Sequence, residues 1–406
     1  MTTNDERLRV MFLQSREAYG GDSKVHGTLM RAFDRQRLKV YAACNYGDGP
    51  AKSAAAQALE QIPDLHVRPT NFGPSMYRRA PLAVAKDALL GGAAFGADFA
   101  RLVRFARREQ IDIVHVTADK PRETFYGLFL ARLSGARYVV HLHMKIGAWI
   151  SPLARWAMKH ADGYIAVSDF VARSAVEMGY ACERIVRIHN AMDLDGWHGD
   201  GVDRAALRRE FAIGEEQPTI VIVGRLLPWK GQAALIEALA LVRAELPGVR
   251  LLVVGDDDVS AFSGDGRYSQ YLQVLVAELG LEENVIFTGH RSDVPAILAA
   301  GDLFAMPTFE EPFGLVFLEA MAMKMPVVAI TSGGPAEIIE NGATGLLSPP
   351  DDPEALAGNI ITLLGDPSLR RRMGEAGRHK VETEYTVQRL ADSVEAFYRQ
   401  LLARQA

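Results

Sequence analysis

The chain has 406 residues, 49% of them hydrophobic and 23% charged, which is too long for one core and too apolar for a disordered or fibrous protein. It shows no run of about 18 uncharged apolar residues, its polar start MTTNDERLRV does not read as a secretion signal, and its two cysteines, Cys44 and Cys182, lack metal-type spacing, so a two-domain cytoplasmic protein with reduced, buried thiols is expected. The net charge of −5 divides into +6 over residues 1–200 and −11 over residues 201–406, which either draws an anionic partner to the first half or reflects scattered surface charge.

In chain order, the apolar runs LRVMFLQ (8–14), LKVYAAC (38–44), IDIVHVT (111–117), RYVVHLH (137–143), GYIAVS (163–168) and RIVRIHN (184–190) read as strands, with helical periodicity between most of them. The stretches MYRRAPLAVAKDALLGG and FGADFARLVRFARREQ carry Arg78, Arg79, Lys86, Arg101, Arg104, Arg107 and Arg108. They are either ordinary amphipathic helices with solvated arginines, or a surface that lies on an anionic membrane. Trp149 and Trp156, near Lys145 and Arg155, either add to such a surface or pack. After a polar stretch at 201–217 the rhythm restarts with PTIVIVG (218–224), VRLLVVG (249–255), NVIFTG (284–289), DLFAMP (302–307) and PVVAI (326–330). From residue 353 onward three amphipathic helices follow.

Near-continuous apolar strands alternating with helices mean parallel sheets covered on both faces. Two such series predict an α/β chain of two doubly wound, Rossmann-like domains facing a central cleft, since ligands bind off the carboxyl ends of such strands. The boundaries expected are 1–200, 201–385 and a last helix, 386–406, that packs back on a domain or crosses between the two.

Four segments carry candidate chemistry. Gly20-Gly21 follows the first strand and opens a helix, where a phosphate finds free N–H groups and close backbone approach. The pair is not GxGxxG, and alone such a pair is more often only a turn. Arg225 and Lys230, in GRLLPWKG, stand at a strand's carboxyl end, where two cations either clamp a diphosphate or belong to a solvated turn. In FEEPFGLVFLEA a helix N-terminus begins near Gly314, an anion site. Glu319 lies inside that apolar helix, where a carboxylate needs partners such as ribose hydroxyls or a neighbouring cation. The turn TSGGPAE (331–337) repeats the same logic. The run Asp256-Asp257-Asp258 is either a carboxylate metal cluster or a solvated loop. Basic residues are not interleaved with exposed aromatics on any one segment, which speaks against nucleic acid.

These residues together resemble the retaining GT-B glycosyltransferases of family four, the group 1 type. The string GRLLPWKGQ and the stretch from FTGHRSDV to GATGLL carry the resemblance strongly over about 218–350. Gly20-Gly21, HLH at 141–143, AVSDFVA at 166–172 and HNAMDLDGW at 189–197 carry it more weakly. The resemblance implies a metal-independent hexosyltransferase that needs no cofactor. It implies a UDP- or GDP-linked sugar as donor and a glycan, lipid-linked or small-molecule hydroxyl as acceptor. Arg225 and Lys230 should hold the diphosphate, with Gly20 and Gly21 facing it from the other domain. Glu319 should bind ribose. Glu311, with the amides of Phe313, Gly314 and Leu315, should lie near the sugar and phosphate. His143, or alternatively His141, should lie at the reacting centre, Arg291 in the loop near the base, and the last helix, 386–406, should pack back on the first domain. Two departures are Asn190-Ala191-Met192-Asp193 in place of Asn-Gly-Val-Asp, and an insertion over 257–273. The rival readings are a GT-B relative with phosphorylase or epimerase chemistry, and a non-catalytic nucleotide-sugar-binding protein.

Overall fold

The apolar runs fold as parallel strands buried on both faces, in two separate series. The computed structural model describes residues 6–47, 51–72, 81–118, 121–257 and 267–404, with the backbone alone for 81–94 and 121. By its internal contacts the chain divides into unit 1, residues 1–191 with 387–406, and unit 2, residues 192–386. The first division falls after Ala191 instead of near residue 200. Met192 donates its N–H to Tyr385 O at 3.2 Å and bridges Thr386, which ties the 192 segment into unit 2.

Unit 1 contains β1 (Leu8–Gln14), β2 (Leu38–Cys44), β3 (His66–Pro69), β4 (Ile113–Thr117), β5 (Arg137–Leu142), β6 (Gly163–Ala166) and β7 (Ile185–Arg187). They form one seven-stranded sheet in the order β3-β2-β1-β4-β5-β6-β7. Val10 pairs with Val40 on one side and Ile113 on the other, so the strand order reverses between β1 and β4. Loops at the carboxyl ends of these two strands splay apart there, which is where such sheets hold ligands. Several helices start on a serine whose Oγ accepts a backbone N–H: Ser53 from Ala56, Ser151 from Ala154 and Ser168 from Val171. The helix Val387–Ala403 buries Leu390, Val394, Phe397 and Tyr398 in the same core as Phe12 and Phe33.

Unit 2 contains β8 (Thr219–Val223), β9 (Arg250–Val254), β10 (Val285–Gly289), β11 (Leu303–Ala305), β12 (Val327–Ile330) and β13 (Gly345–Ser348). Their order is β10-β9-β8-β11-β12-β13, all parallel, with the reversal between β8 and β11. The helix Pro353–Gly365 packs on Gln232–Glu245, and Pro367–Glu384 packs on Leu315–Ala322.

β3 and β13 were not anticipated. Both are four-residue edge strands without an apolar run. Of the two cysteines, one differs from expectation. Cys44 is buried, and burial pushes its thiol up to about 12, whereas Cys182 is exposed.

Candidate functional site

In unit 2 three loops meet at the carboxyl ends of β8, β11 and β12. The β8 loop begins at Gly224, whose carbonyl oxygen lies 1.9 Å from where a Cβ on Gly255 would stand, so only glycine fits there. Arg225 follows, exposed, its carbonyl accepting from Gln232 Nε2 at 3.0 Å. The loop closes on a short turn, Pro228–Lys230, and on Gly231 with φ 82°, which starts the helix Gln232–Glu245. The Trp229 carbonyl accepts from Phe309 N at 2.9 Å and Thr308 Oγ1 at 3.0 Å, fastening this loop to the one after β11. Lys230 Nζ then makes an ion pair with Glu311, both side chains mostly buried.

The Glu311 segment is shaped by its neighbours. Glu310 adopts φ 52° and donates its N–H to Ser332 Oγ at 3.0 Å. Gly334 donates to the Glu311 carbonyl at 2.8 Å. A Cβ on Gly333 or Gly334 would stand 2.4 Å from Glu311 O or 2.6 Å from Phe313 Cα. The TSGGPAE turn is therefore a backbone support for the Glu311–Gly314 loop. Gly314, at φ 92°, begins the helix Leu315–Ala322, which has no side-chain cap and no acidic residue in its first turn. Its leading N–H groups suit an anion. Phe313 is buried beside Tyr385, ring centres 6.1 Å apart. Glu319 is half-buried on the same helix, less enclosed than its apolar sequence surroundings suggested.

Arg291 is placed differently. Its guanidinium grips Asp293 at 2.7 Å and Glu210 at 2.7 Å and lies over the Phe211 ring. These partners hold it in a local ion-pair network instead of leaving its fork open to a base. Asp257 is also committed, accepting from Ser269 N at 2.9 Å at the start of the helix Tyr268–Glu278, as a cap does. Asp258, Arg78 and Arg79 lie outside the described residues, as does the side chain of Lys86.

A cavity of about 490 Å³ in unit 2 is lined by Arg204, Arg208, Asp302 and Arg370. It sits beside Pro218 and Asp302, before β8 and β11 begin, at the sheet edge opposite the loops just described. Its arginines are engaged: Arg204 pairs with Asp302 at 2.7 Å, and buried Arg208 donates to Ala300 O at 2.8 Å.

In unit 1, Gly21 adopts φ 53° and precedes the helix Asp22–Ala32. Neither Gly20 nor Gly21 has an atom within 4 Å of its missing Cβ. The turn is therefore open on that side, although the Asp22 carboxylate already occupies the first helical turn. His143 follows β5, with its Nε2 3.1 Å from His26 Nε2. His141 Nδ1 stands 3.3 Å from His26 Nε2 and 3.2 Å from His115 Nε2. His115 Nδ1 in turn meets the Tyr398 hydroxyl at 2.6 Å. Burial drives the pKa values of His115 and His141 well below the usual histidine range, so both are neutral. His141 is fully buried and His143 partly exposed, so of the two only His143 offers an edge to solvent. The sequence reading missed His26, His115 and Tyr398. The one available signal was the His-x-His spacing on a strand.

Comparison with known proteins matches this architecture. Residues 203–380 match the family model for glycosyl transferases group 1, and residues 19–195 that for glycosyltransferase family 4. The chain is 35% identical over 269 residues to the GDP-mannose-dependent alpha-(1-6)-phosphatidylinositol monomannoside mannosyltransferase of Mycolicibacterium smegmatis, covering 62% of this chain and 67% of that one. It is 29% identical to the alpha-D-kanosaminyltransferase of Streptomyces kanamyceticus, covering 73% and 79%. Among solved structures it is similar to Anabaena HepE in complex with UDP-glucose, with a TM-score of 0.77, 25% identity and 97% and 100% of the two chains covered. These relatives support sugar transfer over the phosphorylase, epimerase and sensor readings. The chain thus belongs to the group 1, family 4 glycosyltransferases and has the two Rossmann-like halves of the GT-B fold.

Proposed function

We propose that the protein moves a sugar from a nucleoside diphosphate sugar to a hydroxyl acceptor with retention at the anomeric carbon. The observation that carries this is the Lys230–Glu311 ion pair beside the uncapped helix start at Gly314, with Arg225 on the same loop. In this reading Arg225, Lys230 and the amides of Phe313, Gly314 and Leu315 hold the diphosphate, and Glu319 accepts from the ribose hydroxyls. Those charges stabilise the phosphate as the sugar–oxygen bond breaks through an oxocarbenium-like transition state. The acceptor oxygen bonds to the anomeric carbon on the face the phosphate leaves, and its proton passes to the leaving phosphate oxygen. We assign His143 to the sugar-transfer step and Gly20-Gly21 to the diphosphate. Arg291 then acts on the donor through its loop, not its guanidinium.

The acceptor assigned is lipid-linked, at an anionic membrane. Among the described residues no helix is long and apolar enough to cross a bilayer. Unit 1 nevertheless exposes Phe129, Leu133, Trp149, Leu153 and Trp156, each by 45–61%. Phe125 stacks against both Phe129 and Trp156, joining the helices Pro121–Ser134 and Pro152–Lys159 into one apolar face, with Arg132, Arg155 and Lys159 on the same helices. Apolar side chains flanked by cations suit an anionic interface. The M. smegmatis relative, named for a phosphatidylinositol-based acceptor, agrees with this choice.

Thermal melting with UDP, GDP, ADP and their sugars, with and without EDTA, tests the donor site. A ligand that binds only the folded chain adds about 2.7 kcal/mol at a hundredfold excess over its Kd. A shift with one nucleotide, insensitive to EDTA and lost in Glu319→Ala, supports the assignment and identifies the base. No shift with any of them overturns it.

A further inference from the structure

The histidines of unit 1 converge more closely than hydrogen bonding alone can use. His26 Nε2 lies 3.1 Å from His143 Nε2 and 3.3 Å from His141 Nδ1. A ring nitrogen offers one in-plane proton or one lone pair, so it can serve only one such neighbour well. His141 Nδ1 has the same difficulty, since it also faces His115 Nε2 at 3.2 Å. His141 Nε2, on the other side of that ring, is buried without a hydrogen-bond partner.

A cation among the three nitrogens uses three lone pairs at once. Nitrogens at about 2.0–2.1 Å from a tetrahedral zinc stand about 3.3–3.4 Å apart. The two short separations here are close to that edge length, and all three ligand atoms lie within 4.8 Å of one another. The backbone presets the arrangement. Strand periodicity puts His141 and His143 on one face, and the helix Asp22–Ala32 brings His26 against them. His26 and His141 are buried, whereas His143 is partly exposed and leaves a route for the ion and room for a water as fourth ligand. Three histidines with one open position is a recurrent zinc arrangement.

We propose that His26, His141 and His143 form a binding site for a borderline-soft divalent cation of the zinc class, and that occupancy withdraws His143 from sugar transfer. The second half rests on the role assigned to His143 above. The binding itself does not.

The test uses the full chain, stripped with a chelator and titrated with Co2+, whose tetrahedral complexes absorb strongly in the visible. The result expected is one equivalent bound with a tetrahedral spectrum, displaced one for one by Zn2+, and a raised melting temperature. His26→Asn and the partly exposed His143→Ala, each checked for folding by metal-free melting, should weaken binding about 10–100-fold or more. No tetrahedral spectrum at one equivalent, or binding undiminished in a folded His143→Ala chain, overturns the site. Transfer activity should fall with the same midpoint as the cobalt titration. Binding without loss of transfer overturns the withdrawal of His143. The donor assignment has its own nucleotide test and stands or falls separately.

Discussion

Lys230 and Glu311 neutralise each other across two loops, so each holds the other in place; in the proposed reaction the donor phosphate competes for the lysine. Lys230→Ala should lower kcat about 10²–10³-fold, as removing one preorganised charge from a developing anion does. Steady-state kinetics with a saturating acceptor measure this, and a change within about twofold would remove Lys230 from the machinery. The glycines separate support from contact. On Gly334 a Cβ would stand 2.6 Å from backbone atoms of Pro312 and Phe313, so Gly334→Ala must push the whole loop. Its cost in a urea titration should be about 1–3 kcal/mol. On Gly20 a Cβ meets nothing within 4 Å. Gly20→Ala should therefore leave stability within about 0.5 kcal/mol, and any loss of donor affinity then reports a ligand close to that backbone. Lys230, Glu311 and Gly314 were legible because they fall within one strand-end pattern. His26 and His115 were not, because nothing local marks them: they come from a helix and an apolar strand 89 positions apart, and only the fold brings their rings to 4.9 Å.

At the scale of elements, the central strands were readable because they are continuous apolar runs, and β1 and β2 coincide with the predicted bounds. β3 and β13 were not, because an edge strand is covered on one side only and needs no such run. The final helix was readable from its amphipathic period and its place on the first half from the family resemblance, but the residues it meets there were not. Phe397 packs where a side chain on Gly163 would stand, its ring carbon Cζ 2.6 Å from the missing Cβ. Phe397→Ala should cost about 3–5 kcal/mol by emptying this contact. Gly163→Val should also destabilise, by overpacking, and the double change should cost less than the sum of the two. Chemical denaturation of the three chains decides it, and strict additivity would show that the contact carries no energy.

At the scale of the whole molecule, charge and apolar surface point to the same half of the chain. Residues 1–200 carry the excess of +6 against −11 in the remainder, and unit 1 exposes Trp149, Leu153 and Trp156. The sequence left the basic stretches as either solvated amphipathic helices or a membrane-facing segment, and the tryptophans as either an addition to that surface or packing. In the described part of that segment, Arg101 pairs with Asp98 at 3.2 Å, Arg107 donates to Leu133 O at 2.7 Å and Arg108 pairs with Glu109 at 2.9 Å. Those arginines are exposed but partnered, so the weight of the membrane proposal moves to the apolar face. Interfacial binding scales with buried apolar area and with attraction to anionic lipid. Changing Trp149, Leu153 and Trp156 together to Gln should therefore reduce sedimentation with phosphatidylglycerol vesicles at least about tenfold, because each side chain contributes roughly a kcal/mol or more of transfer free energy. None of the three lies on a donor-site loop, so the nucleotide-induced melting shift should be unchanged. Raising salt should weaken binding of the unchanged chain and have little effect on neutral phosphatidylcholine vesicles. If the triple variant sediments with anionic vesicles as the parent does, this face does not meet the membrane, and a soluble acceptor becomes the better reading of the transfer reaction.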